Sequence, residues 1–403
     1  KALSLVPYHR VIDDMRARDT LESNSGWPLF TRRNKPEVIQ QAVEAAENGQ
    51  WKTYPAIALF RNYNQKTRLV WMFPMSTNLV EGSFFQPLQS ILMRSDYPWS
   101  KQFLSPWRGF EHVRDIISLH YNRERHCCIA ASDFSSTDAH FKLQATLEVF
   151  DVLKECFQPR YRDALLESLT YMHTIPLIIS STSMLTGEHG VSSGSNWTNF
   201  VETIFDAIFS YYVQFKIVTR YNVSEAYEGL YAIGDDMSWI APTYSSQFAH
   251  RLEQYGEEVG QIIKQEKTMN DPDKVKSLQR LFQRGYNRPD GKTRAVYSTV
   301  RALKSLVYPE RFHKPQLWSK DMEAIRAFMI LENCVDHPLF EEFCKFVVAG
   351  DPHLKDFARY SSSKQQTLYR QSKLVPGLNS TYNQEKRDTS LSTFASVKFI
   401  ATL

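Results

Sequence analysis

Apolar and polar positions follow several different rhythms along this chain, and each change of rhythm marks an element. From His126 to Ser132 the run HCCIAAS is apolar or small throughout, which predicts a short buried strand ending at Asp133. A helical spacing follows, with Phe141, Leu147, Val149 and Leu153 among its apolar positions. Within residues 161–183 the stretch IPLIIS predicts another strand. A glycine-rich turn from Gly187 to Gly194 then opens an amphipathic helix to about Tyr212. In LYAIGDDMSWIAP, apolar residues flank a Gly-Asp-Asp turn on both sides, the pattern of a tight hairpin. Residues 246–268 predict a helix, NDPDKV a loop with a new helix start, NRPDGKTR a turn, and 317–349 more helix. Residues 1–110 are mixed, and beyond about Ser361 the chain turns polar (SSSKQQ, NSTYNQEKRDTS), which predicts irregular structure.

Composition narrows the class. A chain of 403 residues predicts two or three domains and can bury a core without disulfides or a structural metal. Five scattered cysteines do not form a disulfide framework, so a reducing compartment is expected. No apolar run has the length of a membrane span, and no signal peptide opens the chain. It begins with Lys1, so a fragment is expected, and the Asn-x-Ser/Thr matches at Asn196, Asn222 and Asn379 then carry little meaning. The net charge of +4 permits polyanion binding without arguing for it. Arg32, Arg33, Lys35, Arg61, Lys66 and Arg68 interleave with aromatics near the start; taken alone they describe a solvated face.

The chemistry lies in two acidic pairs at predicted strand ends, Asp133 with Asp138 and Asp235 with Asp236. A carboxylate leaving a buried strand is costly unless it is paired or binds a cation. Two such strands side by side would bring Asp133 to Asp235, and oxygen ligands of this kind suit Mg²⁺ or Mn²⁺. A pair of such ions roughly 3.5–4 Å apart serves in-line displacement at phosphorus. Taken alone, Gly-Asp-Asp is also a plain hairpin turn. Between the pairs lies Ser192-Ser193-Gly194-Ser195-Asn196-Trp197-Thr198-Asn199, small and hydroxyl-rich, leading into a helix whose free N–H groups favour anions.

In this order the three blocks resemble motifs A, B and C of the viral RNA-dependent RNA polymerases: Asp133 to Asp138, Ser193-Gly194-x-x-x-Thr198, and Gly234-Asp235-Asp236. Ser25-Gly26-Trp27-Pro28 resembles motif G, and Arg61 with Lys66-Thr67-Arg68-Leu69-Val70-Trp71 resembles motif F. Lys267 stands where motif D carries its lysine, and LQRLFQRGY resembles the motif E hairpin. The segments SGWPLF, KTRLVWMFP and VSSGSNWTNF are most like double-stranded RNA viruses of the picobirnavirus and partitivirus group.

The resemblance implies an α+β, right-hand polymerase whose antiparallel palm sheet is backed by helices. Fingers would take residues 1–115 with an insertion at 155–190, palm 116–154 and 191–286, and thumb with tail 287–403. Asp133, Asp235 and Asp236 would hold two Mg²⁺ or Mn²⁺ ions. Arg61, Lys66 and Arg68 would neutralise the triphosphate, while Asp138, Ser193, Thr198 and Asn199 would surround the ribose. Ser25, Gly26, Pro28 and Gly194 would border the template, and Lys267 would protonate the departing pyrophosphate. Partners would be RNA template and product, NTPs and capsid protein, without a membrane, in the virion interior and host cytoplasm. One position departs: many members carry Asn four residues after the motif B threonine, and here it is Glu202, with Asn199 as the candidate substitute.

Rival readings are weaker. Gly190-Val191-Ser192-Ser193-Gly194 matches a hydrolase nucleophile elbow, with Asp235 and His250 downstream, but polar LTGEHG precedes it where a strand is required. His126, Cys127 and Cys128, and likewise Cys334, His337 and Cys344, lack zinc-site spacing and fit buried core positions. A reverse transcriptase shares the paired aspartates, and a relic without chemistry would bind RNA alone.

Overall fold

The structure is a computed structural model describing all residues except 1, 19, 64–65, 310–312, 376–377 and 379–389. Its first stretch carries α1 (Tyr8–Ala17), α2 (Pro36–Glu47), the hairpin β1 (Ala56–Tyr63) and β2 (Lys66–Met72), and the long helix α3 (Met75–Arg94). Next come α4 (Pro98–Phe103), α5 (Phe110–Arg123), β3 (Cys128–Asp133), the single turn α6 (Thr137–His140), α7 (Leu143–Leu153) and α8 (Arg162–Tyr171). The middle of the chain forms β4 (Leu177–Ser180), β5 (Ser183–Leu185), the 24-residue helix α9 (Trp197–Arg220), β6 (Glu228–Ile233) and β7 (Asp236–Ala241). Then follow α10 (Phe248–Glu258), β8 (Met269–Asp271), β9 (Lys274–Ser277), β10 (Arg280–Gln283), β11 (Val296–Tyr297) and α11 (Thr299–Val307). The last helices are α12 (Lys320–Glu332), α13 (Phe340–Gly350), α14 (His353–Ala358), α15 (Ser362–Ser372) and α16 (Ala395–Ala401).

Two compact units result: Lys1–Ser105 with Cys128–Asn270, and Pro106–Cys127 with Asp271–Leu403. The expected domain limits at 116 and 287 do not coincide with this division, because α5 and the β9–β10 hairpin both pack with the second unit.

The first unit is built on a sheet of order β6-β7-β3-β8. β3 and β7 run antiparallel from Cys128↔Ala241 to Asp133↔Asp236. Cys128, Ile129 and Ala130 are fully buried, so this strand lies in the packed interior. α9 backs the sheet with a row of aromatics. Phe205 meets Phe134 and Phe141 edge-on at 6.1 and 5.1 Å, and Phe209 meets Trp239 at 6.1 Å. A second sheet, β2-β1-β4-β5, holds the β1–β2 hairpin in the register Arg61↔Arg68. In the second unit, helices α11 to α16 enclose a core that includes Phe328, Leu331, Cys334, Cys344, Phe357 and Ile400. The α+β class with antiparallel sheets therefore agrees with the expectation.

Several elements differ from the sequence pattern. α9 runs to Arg220 rather than Tyr212, since Val213 and Ile217 continue its buried stripe. The helix expected over 246–268 ends at Glu258, where Gly260 takes a positive φ of 81° and the chain extends toward β8. NDPDKV starts no helix; it closes β8 and opens β9, in which exposed Lys274 and Lys276 alternate with buried Val275 and Ser277. The helix of 317–349 is two, α12 and α13. The polar tail is not irregular throughout: α15 is capped by the Ser361 hydroxyl, which accepts from Lys364 N at 3.2 Å, and buried Gln365 donates to the carbonyls of Phe357 and Ala358. Asn379 and most of NSTYNQEKRDTS lie outside the described residues.

Candidate active site

Three short backbone connections assemble the site in the first unit. Ile233 pairs with Asp236 across a two-residue turn, and Gly234 occupies its first place with φ 57°, as a primed hairpin turn with leading glycine requires. That turn is fastened twice. Gly234 N donates to Thr203 Oγ1 of α9 at 2.9 Å, and Phe134 N donates to Asp235 O at 3.2 Å. On the neighbouring strand Asp133 lies directly opposite Asp236. The Thr137 hydroxyl reaches both Phe134 O (3.0 Å) and Asp235 Oδ2 (3.4 Å). Val191 N donates to Asp138 O at 3.0 Å, which ties the Ser192–Asn199 segment to the same edge.

The carboxylates feel one another. Burial first, then Asp235 and Asp133, push Asp236 up to about 7. Burial also raises Asp235, against its own backbone N–H, with Asp133 adding to the rise. Asp138 is raised by burial and by Asp235, and Arg68 of β2 opposes this at both Asp138 and Asp235. Two like charges roughly 4 Å apart repel by about 4 kcal/mol at an effective dielectric of 20, a cost that a shared cation removes. Among the described residues no group of three or more aspartate, glutamate, histidine or cysteine side chains is arranged to hold a metal ion. The coupled pair Asp133 and Asp235 suits Mg²⁺ or Mn²⁺, ions that take a few carboxylates and keep positions for water and substrate phosphates.

The Ser192–Asn199 segment divides by exposure. Ser193 and Asn199 are exposed on the segment, and the Asn199 amide stands beside Gly234. Thr198, expected at the ribose, is instead buried, and its hydroxyl donates to Ser192 O within the loop. Gly194 packs against β2: a β-carbon there would overlap the Trp71 carbonyl. Ser25 and Gly26, expected along the template, are likewise buried. Ser25 O accepts from Met75 N at 2.9 Å, and Gly26, at φ 68°, lies against Phe73 O. Pro28 is half-buried, while Trp27, Leu29 and Phe30 beside it are exposed.

Arg61 and Arg68 face each other across the exposed hairpin, and Lys66 sits near its tip. Lys267 is exposed in a single turn before β8. Ser135 N donates to Ile262 O at 2.7 Å and Cys128 Sγ lies 3.5 Å from Asn270 Oδ1, so residues 262–270 track β3 with Lys267 between those points. Ser192, the hydrolase-like serine, is buried in irregular backbone with no strand leading into it, and His250 is exposed on α10.

Two acidic residues on α9 extend the cluster inward. Glu202 is buried, and desolvation with Asp235, Asp138 and Asp236 pushes it up to about 9. Asp206, one turn further, is fully buried and raised well above its ordinary value, and neither of its carboxyl oxygens has a hydrogen-bond partner among the described residues. Sequence reasoning met Glu202 only as a departure and missed Asp206. The available signal was the four-residue spacing of Thr198, Glu202 and Asp206 on one helix face.

With this geometry in hand, comparison with known proteins gives a family. The model of the viral RNA-dependent RNA polymerases matches residues 63–347. The chain belongs to this family. A curated relative, the potential RNA-dependent RNA polymerase of a human picobirnavirus (strain Human/Thailand/Hy005102/-), is 27% identical over 349 residues. The alignment covers 82% of this chain and 62% of that protein. The RNA-directed RNA polymerase of Cryptosporidium parvum virus 1 (strain KSU-1) is 22% identical over 152 residues, 38% of this chain and 28% of that protein. The chain thus matches less than two thirds of the length of either relative. Among solved structures, the RNA-dependent RNA polymerase of a human picobirnavirus superposes with a TM-score of 0.79 at 22% identity, covering 100% of this chain and 76% of that one. Its insertion-loop deletion mutant superposes with a TM-score of 0.77 at the same identity and coverage. These structures share the fold expected from motifs A to G.

Proposed function

We propose that this chain carries out template-directed transfer of ribonucleoside monophosphates from NTPs to an RNA 3′-hydroxyl, replicating and transcribing a viral, double-stranded RNA genome. The observation that carries this reading is the meeting of Asp133, Asp235 and Asp236 at one sheet edge, beside the Ser192–Asn199 segment. Asp133 and Asp235 would hold the divalent ions, with Asp236 assisting. When bound, two such ions activate the attacking oxygen and stabilise the leaving one. In this reading Arg68, whose charge acts on both Asp138 and Asp235, meets the triphosphate, and Lys66 and Arg61 extend that basic hairpin. Ser193, Asn199 and Asp138 are the ribose contacts in this reading, and Thr198 shapes the loop that presents them. Lys267 remains the proposed proton donor to pyrophosphate, carried on the exposed edge beside β3.

RNA template, RNA product and NTPs are the partners in this reading. Capsid protein as a further partner, and a place in the virion interior and host cytoplasm, belong to the same proposal and rest on the family alone. No helix of the described residues is long and apolar enough to cross a membrane.

Nucleotide incorporation by the purified chain on homopolymer and heteropolymer RNA, with Mg²⁺ or Mn²⁺, tests the reading. Ribonucleotide incorporation is expected, and Asp235→Asn should abolish it while leaving the melting transition in place. Preferential deoxynucleotide incorporation would indicate a reverse transcriptase, and no incorporation under either ion would indicate a relic that binds RNA without chemistry.

A further inference from the structure

Away from the acidic edge, the most unusual buried charge of the first unit is Glu81, in the middle of α3. It is 1% exposed, and three donors from two directions converge on its carboxylate. Asn196 N donates to Oε1 at 3.1 Å, Asn78 Nδ2 donates to the same oxygen at 2.9 Å, and the Ser195 hydroxyl donates to Oε2. Ser195 Oγ in turn accepts from Trp197 N at 3.1 Å. The Asn196 side chain gives α9 no cap of its own. The first free N–H groups of this 24-residue helix are therefore met by a carboxylate from another element and by the serine that carboxylate orients.

Asn78 carries the network outward. Its amide also donates to Gly194 O at 3.2 Å, and its Oδ1 accepts from Arg33 Nη2 at 2.9 Å. Arg33 Nε donates to Asn24 O at 3.1 Å, and Asn24 Oδ1 accepts from Gly26 N at 2.8 Å. One chain of hydrogen bonds thus runs from the Ser23–Arg33 loop through α3 to the loop before α9.

We propose that Glu81 is a positioning residue: its carboxylate caps α9 from outside and locks the Ser192–Asn196 loop to the Ser23–Arg33 loop, so that Ser193 and Asn199 stand in fixed places for the incoming nucleotide. The functional half of this inference rests on the polymerase reading; the anchoring half does not. Burial pushes the Glu81 carboxyl up to about 7, against its donors and Arg33, and brings Arg33 down to about 10. A charge kept in such a place is costly, and three satisfied hydrogen bonds are what hold it there. Ser193 and Asn199, both exposed, flank the anchored stretch on either side. Releasing the anchor would let both move relative to the acidic edge while leaving that edge intact.

The test uses Glu81→Gln, which keeps size and shape, and Ser195→Ala, a milder change that serves if the first variant fails to fold. Hydrogen exchange followed by mass spectrometry reads the anchor without any activity. Amides of the 192–199 segment should exchange about ten-fold faster in either variant, the effect of losing a charge-assisted hydrogen bond, while peptides of β3 and β7 keep wild-type protection. Kinetics then read the functional half. KM for ribonucleotides should rise and ribose-over-deoxyribose preference should fall several-fold, with kcat less affected, and the double variant should show less than the product of the single effects. Unchanged exchange at 192–199, or acceleration spread evenly over the unit with a lowered melting temperature, would overturn the positioning role. Faster local exchange in an active enzyme with unaltered KM and sugar preference would overturn its functional half. Faster local exchange in the variants, with a wild-type protein that makes no RNA, would keep the anchor and overturn the polymerase reading.

Discussion

Glu202 shows how a single substitution in a family pattern can be read physically. An amide is expected at this place, and the carboxyl that replaces it is buried beside three aspartates and pushed up to about 9. A folded-state value above the ordinary 4.5 means that the folded protein resists ionising this group. Stability is unaffected below about pH 4.5 and declines as pH rises toward about 9. Glu202→Gln, which cannot ionise, should therefore stabilise the cation-free protein by about 1–3 kcal/mol at pH 8 and leave it nearly unchanged near pH 4.5. Denaturant melts at the two pH values measure this; a variant equally shifted at both would contradict the cause given. At this scale legibility was uneven. Asp133, Asp138, Asp235 and Asp236 stood out because their spacing repeats a known chemistry. Glu81 and Asp206 did not, because one charged residue on an apolar helix face looks like any solvated position until the helix is packed.

At the scale of elements, the strands that carry the site were visible because short apolar runs ended in aspartate. The β6–β7 hairpin came with its glycine turn. The turns that close β9 onto β10 were hidden, since Leu278 and Gln279 adopt positive φ (49° and 67°) without glycine or asparagine to announce it. Gly194 has a packing role that its sequence context did not announce. It was expected along the template, yet it is required for contact between a loop and β2, where any side chain would strike the Trp71 carbonyl. Gly194→Ala should consequently destabilise the first unit by about 1–3 kcal/mol, the usual range for overpacking, and slow synthesis by displacing Ser193. Thermal melting and incorporation assays check both effects; wild-type melting together with wild-type turnover would show that the close approach is dispensable.

For the whole molecule, the α+β class, the antiparallel sheet and the family were legible, since motifs in order constrain a fold more than any one element does. The two compact units follow limits of their own, because α5 groups with the sequence-distant stretch Asp271–Leu403, a pairing that periodicity does not encode. The clustered carboxylates also set how the protein responds to solution conditions. Asp236, raised to about 7 by burial and by Asp235 and Asp133, must release its proton before a cation binds beside it, so Mg²⁺ should raise the melting temperature more at pH 8 than at pH 6. Calorimetry in both buffers reads the difference, and an equal rise at the two pH values would mean the ion binds elsewhere.

The central claim, that Asp133 and Asp235 share divalent cations, is tested most directly by anomalous diffraction at the manganese edge from crystals grown with Mn²⁺ and a non-hydrolysable NTP. Peaks between those two carboxylates, absent in Asp235→Asn crystals, are predicted; a nucleotide-bound crystal with manganese elsewhere and none at that sheet edge would contradict the account.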